Sequence, residues 1–128
     1  MRILIVDDDP DICIMIRMML QYKGYDVTVM DSPANVINEL RSGEIGLVLM
    51  DMLMSGYNGV NICQAIKSED VISQIPLIMM SAHNDAEIGC LEAGANDFIS
   101  KPFEIKELLD KIEQSVIPLK KEKSNGNS

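Results

Sequence analysis

The 128-residue chain is short of the residues that staple small folds, cross bilayers or hold transition metals. It has three cysteines, one histidine, no tryptophan, and 11 basic residues against 20 acidic ones. Cys13, Cys63 and Cys90 lie too far apart for a Cys-x-x-Cys motif. An odd number of cysteines does not make a disulfide framework, so all three read as small buried apolar residues in a reducing cytosol. A single histidine and no cysteine cluster leave zinc and iron without a ligand set. No apolar run approaches the roughly 20 residues that span a bilayer, so membrane insertion is not expected. The formal net charge of -9 repels phosphate backbones and anionic membranes, which argues against direct nucleic-acid binding by this chain. The N-terminus reads as a short strand followed by acids, not as a signal peptide, and the expected location is cytoplasmic. No Ser/Thr/Gly-rich phosphate loop follows that first strand, which disfavours a flavin site.

What is present is the composition of a globular domain, 47% hydrophobic and 24% charged, with enough chain for one core. Short apolar runs alternate with helical periods. The runs are 3–6, 27–30, 46–50 (GLVLM), 76–80 (PLIMM) and 97–99. The third and fourth are apolar at nearly every position, as parallel strands covered on both faces must be. Helix starts lie between them. Asp9-Pro10 offers a cap and an N1 proline before Ile12, Met15, Ile16 and Met19. Ser32-Pro33 repeats the signal before Val36, Ile37 and Leu40. Asn58-Gly59 precedes Ile62, Cys63 and Ile66, Asn84 opens a fourth helix that closes at Gly94, and Glu104 opens a last one carrying Ile105, Leu108, Leu109 and Ile112. Five strand–helix units in strict alternation imply an α/β flavodoxin-like (βα)5 three-layer sandwich with a parallel sheet in the order 2-1-3-4-5. The domain is expected over 1–117, with a disordered polar tail over 118–128.

In such a sheet, ligands sit beyond the carboxyl ends of the strands, near the switch in strand order. Asp7, Asp8 and Asp9 leave the first strand, Asp51 the third, Ser81 the fourth and Lys101-Pro102 the fifth. Asp9 reads as the helix cap. Asp51 follows the most buried-looking strand, where an unpaired carboxylate is costly. Clustered carboxylates repel one another unless they share a cation, and an oxygen-only site with few protein ligands suits Mg²⁺. A carboxylate, an ammonium and a hydroxyl around Mg²⁺ form a set of groups suited to phosphoryl transfer.

These residues bring in a family. ILIVDDDP at 3–10, LVLMDMLMSGYNG at 47–59, LIMMSA at 77–82 and AGANDFISKPF at 93–103 resemble, in order and spacing, the receiver domain of two-component response regulators. The likeness includes the single-domain chemotaxis and sporulation-type regulators. It implies that Asp51 is the phosphoacceptor and that Asp8 binds Mg²⁺ directly. Asp7 orients metal-bound water, and the Leu53 backbone carbonyl completes the metal ligands. It implies that Lys101 pairs with the phosphoryl group, that Ser81 bonds a phosphoryl oxygen, and that Phe98 is an aromatic switch that rotates inward. The Lys101–Pro102 peptide is expected to be cis. Ser55 stands where relatives carry proline, and Phe98 is tyrosine in many of them. Leu53 and His83 occupy variable positions flanking the site, and an apolar Leu53 cannot position an attacking water. His83 reads as a flanking surface residue.

The resemblance further implies a signalling phosphoacceptor that catalyses only its own phosphorylation and dephosphorylation. Its partners would be a sensor histidine kinase or phosphotransfer protein, then a downstream protein target or a covalently linked output domain, with a phosphorylation-dependent homodimer also allowed. Two alternatives remain. One is a haloacid-dehalogenase-like phosphatase using Asp7 and Asp9, weakened by Asp11 where Thr or Val is usual. The other is a pseudo-receiver that works without phosphorylation, which retention of Asp8, Asp51, Ser81 and Lys101 argues against.

Overall fold

A computed structural model describes residues 1–54 and 56–126, with side chains to Val116. Ser55, the position of the missing proline, lies outside the described residues. The elements are β1 (Arg2–Val6), α1 (Pro10–Tyr22), β2 (Asp26–Met30), α2 (Val36–Arg41), β3 (Ile45–Asp51), β4 (Leu53–Met54), β5 (Tyr57–Asn58), α3 (Gly59–Lys67), β6 (Leu77–Ser81), α4 (Glu87–Glu92), β7 (Asp97–Ser100) and α5 (Ile105–Gly126). Short 3-10 turns, Pro33–Asn35 and Asn84–Ala86, lead into α2 and α4. The five-stranded sheet runs β2-β1-β3-β6-β7, with every neighbouring pair parallel. Counted over its long strands, this is the 2-1-3-4-5 order that the alternation implies.

The strands are apolar at successive positions because each face feeds a different core. Leu4 and Val6, Val48 and Met50, and Leu77 and Met79 face α2, α3 and α4, which contribute Val36, Leu40, Cys63, Ile66 and Cys90. Ile3 and Ile5, Leu47 and Leu49, and Ile78 and Met80 face α1 and α5, which contribute Cys13, Ile16, Leu20, Leu108, Ile112 and Val116. The two-residue period of a strand sorts the side chains between these layers. All three cysteines are free and buried.

Local signals act where the sequence places them. Asp9 accepts from the backbone N–H groups of Asp11 (3.0 Å) and Ile12 (3.4 Å) at the start of α1. Ser32 caps the turn before α2, and Asn58 Oδ1 accepts from Val60 N at 2.8 Å to start α3. At the end of the sheet where the strands begin, Lys67 Nζ donates to Ser73 O (3.0 Å), Ile75 O (2.8 Å) and Asn96 Oδ1 (2.9 Å). The same Asn96 Oδ1 accepts from Leu77 N at 2.9 Å.

Two expectations are corrected. The core stripe of α1 is Cys13, Ile16 and Leu20; Met15 is 42% exposed and joins Ile14, Met18 and Tyr22 on an outward apolar face. A small antiparallel ladder, β4–β5, interrupts the loop after β3 and is turned by Gly56 at φ 79°. The backbone of α5 is helical to Gly126.

Replacing Asp9 with alanine removes the cap of α1 and should lower stability by about 1 kcal/mol, read as a lower urea midpoint at unchanged slope.

Candidate functional site

The ends of β1, β3, β6 and β7 put their next residues on one edge of the sheet. Asp7 is 1% exposed, Asp51 8% and Ser81 2%, while Asp8 points to solvent. One carboxylate oxygen from each of Asp7, Asp8 and Asp51 lies within 4.8 Å of the others. Lys101 reaches this cluster from the loop after β7. Its ammonium donates to Asp7 Oδ2 at 2.7 Å and to Asp51 Oδ1 at 3.0 Å. The Lys101–Pro102 peptide bond is cis, and Lys101 N donates to Ser81 O at 2.7 Å, fixing the loop to the end of β6.

Asp7 is held on every side. Its Oδ1 accepts from Asp9 N at 2.9 Å, and its backbone carbonyl accepts from the Cys13 thiol at 3.3 Å. Burial, with Asp7 and Asp9 beside it, pushes that thiol up to about 11, so it serves as a neutral donor. Asp51 titrates above the usual carboxylate range. Burial is the main cause, and the charges of Asp7 and Asp8 add to it, against the ammonium of Lys101. For Lys101, burial works against the charge, but its bonds to Asp7 and Asp51 prevail and hold it above the ordinary lysine range.

Every donor in the cluster is a hard carboxylate oxygen, with no imidazole or thiolate among the three residues. That set fits Mg²⁺, which takes few protein ligands and keeps several waters.

The remaining sequence-selected residues occupy the same edge or its approach. Ser81 Oγ accepts from His83 N at 3.0 Å, and His83 is exposed. Leu53 stands in β4, 50% exposed. Phe98, in β7, is 5% exposed and packs with the α2–α3–α4 core. Residues that the sequence reading passed over include Cys13, whose thiol supports Asp7, and Gly59, whose N–H donates to Met52 O at 2.6 Å. Cys13 was legible only as an apolar position, and Gly59 only as a helix start.

Comparison with known proteins places the chain in a family. The family model for the response regulator receiver domain matches residues 3–113. The DNA-binding response regulator MtrA of Mycolicibacterium smegmatis is 34% identical over 113 residues, covering 87% of this chain and 48% of that protein. The phosphate regulon transcriptional regulatory protein PhoB of Escherichia coli is 32% identical, covering 87% and 49%. Among solved structures, a putative response regulator from Chloroflexus aurantiacus superposes with a TM-score of 0.85 at 28% identity, covering 90% of this chain and 96% of that one. The receiver domain of the sensor histidine kinase PA1611 from Pseudomonas aeruginosa, solved with a magnesium ion in its active site cleft, superposes at 0.81 with 26% identity and coverage of 90% and 96%. The chain belongs to the response regulator receiver domain family and is a signalling module of the two-component type. It spans about half the length of the curated relatives it matches.

The raised Asp51 carboxyl sets a sign for stability. The folded form binds its proton more tightly than the unfolded chain, so stability contributed by the protonated group is lost as pH rises from the ordinary aspartate range through the folded value. Asp51→Asn should therefore raise the melting temperature at pH 7 without Mg²⁺. Millimolar Mg²⁺ should raise that of the wild type and raise that of the variant less, as read by thermal scans with and without the ion.

Proposed function

We propose that this receiver takes a phosphoryl group onto Asp51 from the phosphohistidine of a sensor histidine kinase or phosphotransfer protein. The observation that carries the reading is the Lys101 ammonium bridging Asp7 and Asp51 beside a three-carboxylate cluster. Asp7, Asp8, Asp51 and the Leu53 carbonyl would hold Mg²⁺. When bound, that ion supplies charge neutralisation for the phosphoryl oxygens and relieves the repulsion among the three acids.

An Asp51 carboxylate oxygen forms a bond to phosphorus as the P–N bond to the donor imidazole breaks, leaving an acyl phosphate. Lys101 exchanges its Asp51 contact for a phosphoryl oxygen and keeps Asp7. The Ser81 hydroxyl, at the end of the neighbouring strand, supplies a further hydrogen bond. The product adds roughly two negative charges to an edge already acidic, and that change is the signal passed to a protein target, a linked output domain or a second copy. No metabolite is turned over. A phosphatase built on Asp7 is disfavoured because both Asp7 oxygens are engaged, one by Lys101 and one by Asp9 N.

The donor would approach over α1. Ile14 (48%), Met18 (64%) and Tyr22 (84%) form an exposed apolar face leading away from Asp7 and Asp8. A net charge of -9 disfavours contact between this domain and nucleic acid, and a cytoplasmic setting suits a module fed by a histidine kinase.

Incubation with Mg²⁺ and acetyl phosphate should yield an acid-stable, base-labile adduct on Asp51 and none in Asp51→Asn; label on Asp7, or nowhere, rejects the assignment. Leu53→Asn should shorten the lifetime of the adduct several-fold by positioning water, as followed by loss of label. Met18→Glu should weaken transfer from a cognate kinase while labelling by acetyl phosphate is unchanged; equal loss of both refutes docking on α1.

A further inference from the structure

We propose that Gly59 is a positioning residue for the acidic site, setting where the Asp51 carboxylate and the Leu53 carbonyl stand by allowing α3 to begin against the backbone of Asp51 and Met52. This rests on the reading of Asp51 and Leu53 as cation ligands.

A Cβ built on Gly59 would meet Asp51 O at 2.8 Å, Met52 Cα at 2.9 Å and Met52 O at 2.9 Å. All three are backbone atoms, which cannot turn aside as a flexible side chain can. The other close glycines differ. At Gly46 the nearest obstacle is the Met1 side chain, and at Gly94 it is the stem of Lys67. Among the described glycines, only Gly59 is pressed against main chain alone.

The contact closes a loop. Met52 N donates to Met80 O at 2.7 Å, which ties the start of the loop to β6. Gly59 N donates to Met52 O at 2.6 Å, which joins its end to its start. Between these points Leu53 pairs with Asn58 and Met54 with Tyr57. Asn58 Oδ1 then caps α3 through Val60 N. The Leu53 carbonyl is therefore carried on a hairpin whose base is one hydrogen bond, and the length of that base is set by the missing side chain at 59. A methyl group there would push α3 away from Asp51, and the hairpin with it. Gly59 touches neither cation nor phosphoryl group, so its effect passes through ligand geometry, where loss of a supporting partner weakens metal binding about 10–100-fold.

The test is Mg²⁺ binding by calorimetry at neutral pH for wild type, Gly59→Ala and Leu40→Ala, the last a core truncation in α2 away from the cluster. Gly59→Ala should bind at least about tenfold more weakly than wild type, and Leu40→Ala should bind like wild type although it too loses stability. Equal affinity in Gly59→Ala and wild type overturns the proposal. So does an equal loss in Leu40→Ala, which would mark a general effect of destabilisation. No uptake by wild type overturns the reading of the site itself, and this inference with it. Should Gly59→Ala not fold, Mg²⁺ titration of wild-type amide resonances decides. Gly59, Met52 and Leu53 amides moving with one dissociation constant support the inference, and a Gly59 amide that stays in place overturns it.

Discussion

The arrangement depends on one ammonium between two buried acids. Asp7 and Asp51 end neighbouring strands, and parallel pairing of β1 with β3 brings them together whether or not their charges agree. Left alone, two carboxylates this buried would repel and would push for protonation. Lys101, 94 residues along from Asp7, arrives from the loop after β7 and bonds both. Breaking such a pair by removing one partner strands the other charge in a poorly solvated place. The fold thus has a reason to keep a lysine at this edge even before any phosphoryl chemistry is considered. The chemistry uses the tension that remains, since Asp51 still titrates high with the lysine in contact.

Much of this was legible because the physics is local or strictly periodic. Parallel strands covered on both faces read as unbroken apolar runs, so β3 and β6 stand out in GLVLM and PLIMM. Capping is a matter of one side chain and two amides, so Asp9, Ser32 and Asn58 announce helices. Once the order of strands is set, the residue after each strand falls on a known edge, and Asp7, Asp8, Asp51, Ser81 and Lys101 gather there.

The misses have physical causes too. In α1 the apolar residues outnumber those that one face can bury. Periodicity alone admits a stripe through Met15 as well as one through Cys13, Ile16 and Leu20, and only packing against β1 and β3 separates them. The β4–β5 ladder has two residues per strand, too few for alternation to show. The role of Gly59 is a distance between backbones, which no pattern of side chains records.

Lys67 gives the sheet a fixed end. Its three acceptors belong to the chain just ahead of β6 and β7, the strands that deliver Ser81 and Lys101 at their opposite tips. The opposite tips are tied by a second lysine, since Lys101 N donates to Ser81 O and the Lys101 ammonium to Asp7 and Asp51. One lysine thus braces the strands where they begin and another joins them where they end, and only the second lies where an added phosphoryl charge would compete for it.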